Sequence, residues 1–312
     1  MGEIRELSLE GKQLIGGGGM GDVYRLDDER ILKLYREGVT MEEIRAKKKS
    51  AREIFVKGVP TAISFEAVTV GSCCGLIFEL LDCVTVGEKM SADKRFTKSY
   101  AVKMAELLRT LHETHCPGSS IPDIKWRLHS WIDIMRDEYG LSYADIELLR
   151  RVTDSLPDRD TLLHCDFHEG NVMVNGDELM LIDIDDMCIG HPVVDFAFHW
   201  ADHIALAKRP DLMERSLGLD PDTAKWARTF TLREYPGVPD RSSLSAFDKR
   251  IIPLAMLFMV LGPARLNDAD YMSQKNIRIA TRQVLPVFRF VWKRILSLGI
   301  TIIPHELEDE TC

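Results

Sequence analysis

Hydrophobic residues keep the alternating spacing of strands early in the chain and the spacing of helices later on. Gln13-Leu14-Ile15 leads into Gly16-Gly17-Gly18-Gly19-Met20-Gly21, after which Asp22-Val23-Tyr24-Arg25-Leu26 resumes an apolar alternation. The glycines therefore fall between two strands and predict a glycine-rich hairpin. A tight Asp27-Asp28-Glu29 turn precedes the next strand, Ile31-Leu32-Lys33-Leu34-Tyr35, where Lys33 sits between apolar neighbours. From Met41 to Lys57 the spacing predicts a helix with Glu43, Lys47, Ala51 and Ile54 on one face. Leu76 to Asp82 is a further strand. Helical spacing governs Tyr100 to His112, Trp126 to Tyr139 and Tyr143 to Thr153. Val172-Met173-Val174 and Leu179-Met180-Leu181-Ile182 flank the turn-rich Asn175-Gly176-Asp177-Glu178 and predict a β-hairpin. Phe196 to Trp200 begins another helix, Pro210 to Asp240 is interrupted by prolines, and Leu244 to Leu298 returns to long helices.

Candidate chemistry concentrates in His164-Cys165-Asp166-Phe167-His168-Glu169-Gly170-Asn171, with Asp183 twelve residues further on. A hydroxyl attacking the γ-phosphate of a nucleotide needs a carboxylate to orient it and accept its proton late, the part Asp166 can take. Asn171 and Asp183 offer hard oxygen atoms suited to Mg²⁺. With the hairpin loop centred near Asp177, the two become cross-strand neighbours able to share one cation. A two-residue Asn175-Gly176 turn misplaces them by three positions. The glycine hairpin adds backbone amides that approach phosphate oxygens closely, because glycine has no Cβ. A Walker loop needs Gly-Lys-Ser/Thr entering a helix, and a dinucleotide fingerprint needs a helix after its last glycine; neither follows here. Taken singly, Lys33 reads as a solvated strand lysine and the hairpin as an ordinary one with polar ends. Their order along one chain favours phosphoryl transfer.

In that order the motifs resemble the aminoglycoside phosphotransferase and choline kinase branch of the protein-kinase-like superfamily, between residues 10 and 200. Gly16 to Val23 fits G-x-G-x-x-G-x-V, and Gly58-Val59-Pro60-Thr61 fits the lead-in to the next strand. The segment from His164 to Asn171 is similar to the H-G-D-x-H-x-x-N loop of that branch. Leu181-Ile182-Asp183 through Gly190-His191-Pro192 and Asp195 is similar to its metal-binding segment. The resemblance implies an α+β, bilobal protein-kinase-like fold. Residues 1–82 would form a small antiparallel-sheet N-lobe and residues 83–312 a large, mainly helical C-lobe, with ATP (or GTP) between them. It implies Asp166 as catalytic base, Asn171 and Asp183 as Mg²⁺ ligands, and Gly16, Gly18, Gly21 and Val23 as the loop over the phosphates. Lys33 becomes the phosphate lysine, paired with Glu43, or with Glu42 or Glu53. Phe78, Glu79 and Leu80 would line the base pocket, chiefly through backbone. Asp185 or Asp186 would assist a second metal, and Trp131, Asp133, Asp137, Trp200 and Asp202 are the acceptor-site candidates.

Departures from the pattern bear on the acceptor. Cys165 replaces the glycine of the small-molecule branch and the arginine of the protein-kinase loop, so no arginine there awaits an activation-loop phosphate. Only eleven residues separate Asp183 from Asp195, and no A-P-E follows. That leaves little platform for a peptide, and a small-molecule hydroxyl acceptor is expected over a protein. A protein serine/threonine kinase and a nucleotide-binding pseudokinase are the alternatives, although Lys33, Asp166, Asn171 and Asp183 are all retained. Nucleotidyl transfer on a kinase-like fold is also open. The net charge of −9 disfavours nonspecific nucleic-acid binding, which needs a basic footprint. The longest apolar run, Ile251 to Gly262, has twelve residues. A membrane span needs about twenty, so the run is expected as a buried helix. The first residues carry charges instead of a signal-like apolar core, and seven scattered cysteines fit a reducing compartment. A cytoplasmic enzyme is expected, with no membrane, nucleic-acid or protein partner. The basic cluster from Arg45 to Arg52 is expected as a solvated face and Glu306 to Glu310 as a solvated tail.

Overall fold

The computed structural model describes residues 4–18, 20–235, 241–266, 277–300, 302–304 and 307. Gly19, positions 236–240 and 267–276, and the acidic end apart from Leu307 lie outside the described residues. The first third of the chain forms one six-stranded sheet from β1 (Arg5–Glu6), β2 (Gln13–Gly18), β3 (Gly21–Arg25), β4 (Arg30–Tyr35), β5 (Ser64–Val70) and β6 (Cys73–Glu79). The spatial order is β1-β5-β6-β4-β3-β2. All neighbours run antiparallel except β1, which lies parallel to β5, so the sheet is mixed at one edge.

Strand alternation sorts the sheet's side chains onto two faces. Leu32, Val68 and Ile77 pack on one, while Tyr35, Cys74, Leu76 and Phe78 pack on the other with Ile44. Ile44 belongs to helix α1 (Met41–Val56), which starts in a capping box between Thr40 and Glu43 and buries Ile44, Ala51 and Ile54. Lys33 lies two residues before Tyr35 and therefore points to the α1 side.

The rest is mainly helical: α2 (Val86–Ala92), α3 (Thr97–Glu113), α4 (Ile124–Asp137), α5 (Tyr143–Asp154), α6 (Val193–Trp200), α7 (Pro210–Leu217), α8 (Pro221–Glu234), α9 (Arg241–Leu266) and α10 (Leu285–Leu298). Of the prolines expected to interrupt this region, Pro210 and Pro221 instead begin α7 and α8, where a missing N–H costs no hydrogen bond. Helix α9 carries the longest apolar run into the core beside α4, α6 and α10. Among the described residues no helix is long and apolar enough to cross a membrane.

Short strands set the segment carrying Asp166, Asn171 and Asp183 between sheet and helices: β7 (Val84–Thr85), β8 (Leu162–Leu163), β9 (Val172–Asn175), β10 (Glu178–Leu181) and β11 (Cys188–Ile189). In the β9–β10 hairpin Asn175 faces Glu178 and Val172 faces Leu181, leaving a two-residue turn of Gly176, at φ 62°, and Asp177. The loop is thus centred between those two residues, half a position from expectation. Ile182 N donates to Asn171 O at 3.0 Å, so Asp183 sits one residue past the partner of Asn171.

Candidate active site

The loop from His164 to Asn171 is held from below by one carboxylate. Asp195, on the first turn of α6, accepts from His164 N at 2.9 Å and Cys165 N at 2.7 Å. Its Oδ2 also lies 3.0 Å from His112 Nε2 of α3, whose Nδ1 is 3.0 Å from the Tyr235 hydroxyl. His112, Asp195 and Tyr235 therefore tie α3, α6 and the end of α8 to the loop backbone. Cys165 adopts φ 63° and Asp183 φ 55°, the left-handed region that favours glycine. One of the two strained residues directly precedes Asp166, and the other is Asp183 itself.

Asp166 emerges from this loop with its carboxylate surrounded by donors. Asn171 Nδ2 donates to Asp166 Oδ2 at 3.1 Å and to its carbonyl at 3.0 Å. Arg265 Nη2, from the end of α9, is 2.7 Å from Oδ1, and His168 Nε2 is 3.8 Å from Oδ2. Burial alone would push the Asp166 carboxyl up, but Arg265 and His168 hold it well below the usual range. Burial likewise opposes a charged His168, yet the carboxylate of Asp166 raises its imidazole to about 9. Asp202 lies on a π-helical turn, Ala201–Ala205, that continues α6. Burial, and then the charge of Asp166, raise its carboxyl to about 6.

A second cluster gathers around Lys33. In the strand register Gly16 faces Val23, Val23 faces Lys33, and Lys33 faces Leu76, so the glycine hairpin begins in the row that carries the lysine. Gly21 is required by the neighbouring strand, since a Cβ there would come within 2.2 Å of Leu34 O. Gly18 pairs with Gly21 across the hairpin. Lys33 Nζ lies 2.5 Å from Asp183 Oδ1 and 2.5 Å from Asp185 Oδ2, and the Tyr35 hydroxyl donates to Asp185 at 2.8 Å. Desolvation works against the ammonium, but the two carboxylates raise Lys33 well above its ordinary value.

The expected Lys33 partner on α1 is not there. Glu43 turns back on its own helix terminus, accepting from Thr40 N at 2.7 Å and Thr40 Oγ1 at 2.8 Å. Glu42 is exposed, and Glu53 accepts from Ser120 N and Oγ. One turn after Glu43, the Lys47 ammonium instead lies 5.5 Å from the centre of the Tyr35 ring. Asp185 thus takes the place next to Lys33 that the sequence reading gave to Glu43. Asp186 turns away, pairing with Arg127 at 2.7 Å.

The strand expected to line a base pocket sends Phe78 into the core with Tyr35 and Ile44. The Glu79 and Leu80 amides are taken by Ile63 O at 2.9 Å and Glu29 O at 2.7 Å, and the Glu79 carboxylate accepts from Ile63 N. Of the acceptor candidates, Trp131 is buried and Trp200 half-buried. Asp133 pairs with Arg136 and Arg150, and Asp137 with Arg136. Sequence reasoning missed Arg265, Arg127 and Tyr35. Arg265 lies 99 positions after Asp166 with no motif around it, so only the path of α9 reveals it.

A lysine-bearing sheet thus stands beside a helical body, with Lys33 against Asp183 and Asn171 against Asp166. Solved aminoglycoside phosphotransferases share this fold. The gentamicin complex of APH(2″)-IIa matches with a TM-score of 0.55 at 13% identity, covering 88% of this chain and 90% of that one. The GDP and kanamycin complex of APH(2″)-IIIa gives 0.54 at 12% identity, over 91% and 95%. ADP-bound APH(2″)-Ib gives 0.51 at 15% identity, over 88% and 91%. No curated protein sequence matches the chain. Residues 13–227 match the model of the phosphotransferase enzyme family, and the chain belongs to that family. As a member of it, the chain is a phosphotransferase.

Proposed function

We propose that this phosphotransferase moves the γ-phosphate of ATP or GTP to a hydroxyl of a small molecule, with Asp166 as base and Asn171 and Asp183 as Mg²⁺ ligands. The observation that supports it best is convergence. Lys33 meets Asp183 at 2.5 Å, and Asn171 meets Asp166 at 3.1 Å, although the four come from three separate stretches of chain. The donor set fits the metal: Asp183 supplies a carboxylate, and Asn171 spends its amide nitrogen on Asp166, leaving its oxygen available. Among the described residues no three His, Cys, Asp or Glu side chains gather as a cage. That suits Mg²⁺, which is commonly held by one or two protein oxygens plus phosphates. When bound, the ion offsets charge on the phosphate oxygens.

Lys33 and the glycine hairpin hold and orient the nucleotide, and the ionised Asp166 orients the acceptor hydroxyl and takes its proton. Residues 1–82 then act as the nucleotide-holding lobe and 83–312 as the lobe of base and acceptor. With the Glu79 and Leu80 amides engaged, base recognition there falls to carbonyl groups. The test is Mg²⁺-dependent transfer from ATP and GTP, read by product mass in wild type and Asp166→Asn. The product should gain one phosphate, and the variant should lose about 10²–10⁴-fold in kcat at nearly unchanged nucleotide affinity. Wild-type turnover in the variant, or a whole-nucleotide adduct, defeats the reading.

A further inference from the structure

The strongest fixed charge beside the base has no part in the mechanism above. Arg265 donates from Nη2 to Cys165 O at 3.2 Å and to Asp166 Oδ1 at 2.7 Å, and its guanidinium lies 4.6 Å from the centre of the Phe198 ring. Its Nε is enclosed and, among the described residues, has no hydrogen-bond acceptor; Asp186 Oδ2 stands 3.8 Å away. Asp186 in turn pairs with Arg127. Asp166, Arg265, Asp186 and Arg127 thus alternate in sign beside the place where the acceptor hydroxyl must lie. The side chain of Arg265 as a whole remains 13% exposed.

Two of the carboxylates expected at the acceptor site are engaged elsewhere. Asp133 is bound by Arg136 at 2.7 Å and Arg150 at 2.6 Å, and Asp137 by Arg136 at 2.7 Å. Asp202, in contrast, has its Oδ2 enclosed and without a hydrogen-bond partner among the described residues. We propose that the acceptor alcohol carries an anionic group, a carboxylate or a phosphate, received by Arg265. This rests on the phosphotransferase reading of the same site and specifies its substrate class. A guanidinium pairs favourably with the oxygens of such a group. It also supplies a positive charge where an anionic acceptor meets a triphosphate, an approach that is otherwise repulsive. In the transfer, the hydroxyl oxygen bonds to the γ-phosphorus as the β–γ bridging bond breaks. The hydroxyl proton passes to Asp166, and the nucleoside diphosphate leaves with the bridging oxygen.

The test uses three alcohols on one carbon skeleton: glycerate, glyceramide and 3-amino-1,2-propanediol. Transfer from Mg-ATP is read by product mass for the full chain, Arg265→Gln and Arg265→Lys. Acceptor-free ATP hydrolysis is measured in parallel, with Asp183→Asn as its control. Glycerate should exceed the amide by about tenfold or more in kcat/KM, with the amine lowest. Arg265→Gln should erase that ratio even where it slows every acceptor, and Arg265→Lys should keep part of it. Preference for the amine, equal or absent transfer to all three with hydrolysis intact, or an unchanged ratio in Arg265→Gln overturns the proposal and leaves the kinase reading standing. Absence of both transfer and Asp183-dependent hydrolysis overturns the kinase reading as well.

Discussion

Cys165 holds a left-handed backbone at φ 63° directly before the candidate base, with its thiol fully buried. A Cβ in that region costs about 1–2 kcal/mol, which glycine escapes. Cys165→Gly should therefore be more stable than Cys165→Ala by about 1–2 kcal/mol, the reverse of the usual order of the two residues. Urea unfolding of both variants measures this, and an alanine variant at least as stable as the glycine one counts against the strain. The sequence already showed that the related loop carries glycine here. It could not show why, because a dihedral angle leaves no mark in one chain. The same holds for Glu43: helical spacing put it on the right face, but Thr40, directly before the first helical residue, competes for its carboxylate. Capping is local and strong, and it overrides a distant pairing.

Helices and turns place the catalytic loop as firmly as its own residues do. Gly170 lies against α7 so closely that a Cβ would come within 2.0 Å of Ser216 O. The obstacle is backbone, which cannot rotate aside. Gly170→Ala should cost about 1–3 kcal/mol by overpacking and should also lower kcat, since Asn171 is the next residue. Thermal unfolding and steady-state kinetics read the two effects; loss of stability with full activity would separate the loop's seat from its chemistry. Elements with strong periodicity, such as α1, α3 and α5, were legible to within a few residues, as was the β9–β10 hairpin. Helices α7 and α8 were not, because a proline at the first helical position and one inside a helix look alike until the boundary is known.

Buried histidines give the whole molecule opposing responses to pH. His168 is raised to about 9 with Asp166 beside it, so its contribution to stability is complete below its unfolded value near 6.5 and is lost as pH rises through 9. His191, lowered by burial to about 4, contributes above 6.5 and loses that contribution as pH falls toward 4; His164, lowered by burial, acts in the same sense. Thermal stability should accordingly decline on both sides of neutrality. His168→Gln should flatten the alkaline side between 6.5 and 9 and leave the acid side in place. A Tm profile that keeps its alkaline decline in that variant would reassign it. None of this was readable from nine histidines in a sequence, because burial decides the sign of each shift. The pairing of Lys33 with Asp183 and Asp185 has a consequence of its own. A strand lysine bound by two carboxylates of the following segment fastens the sheet to the helical body like a latch. Under the proposed function, phosphate oxygens would have to draw the ammonium away from those carboxylates before they could use it. Affinity for the nucleotide is then a contest between two sets of anions for one cation.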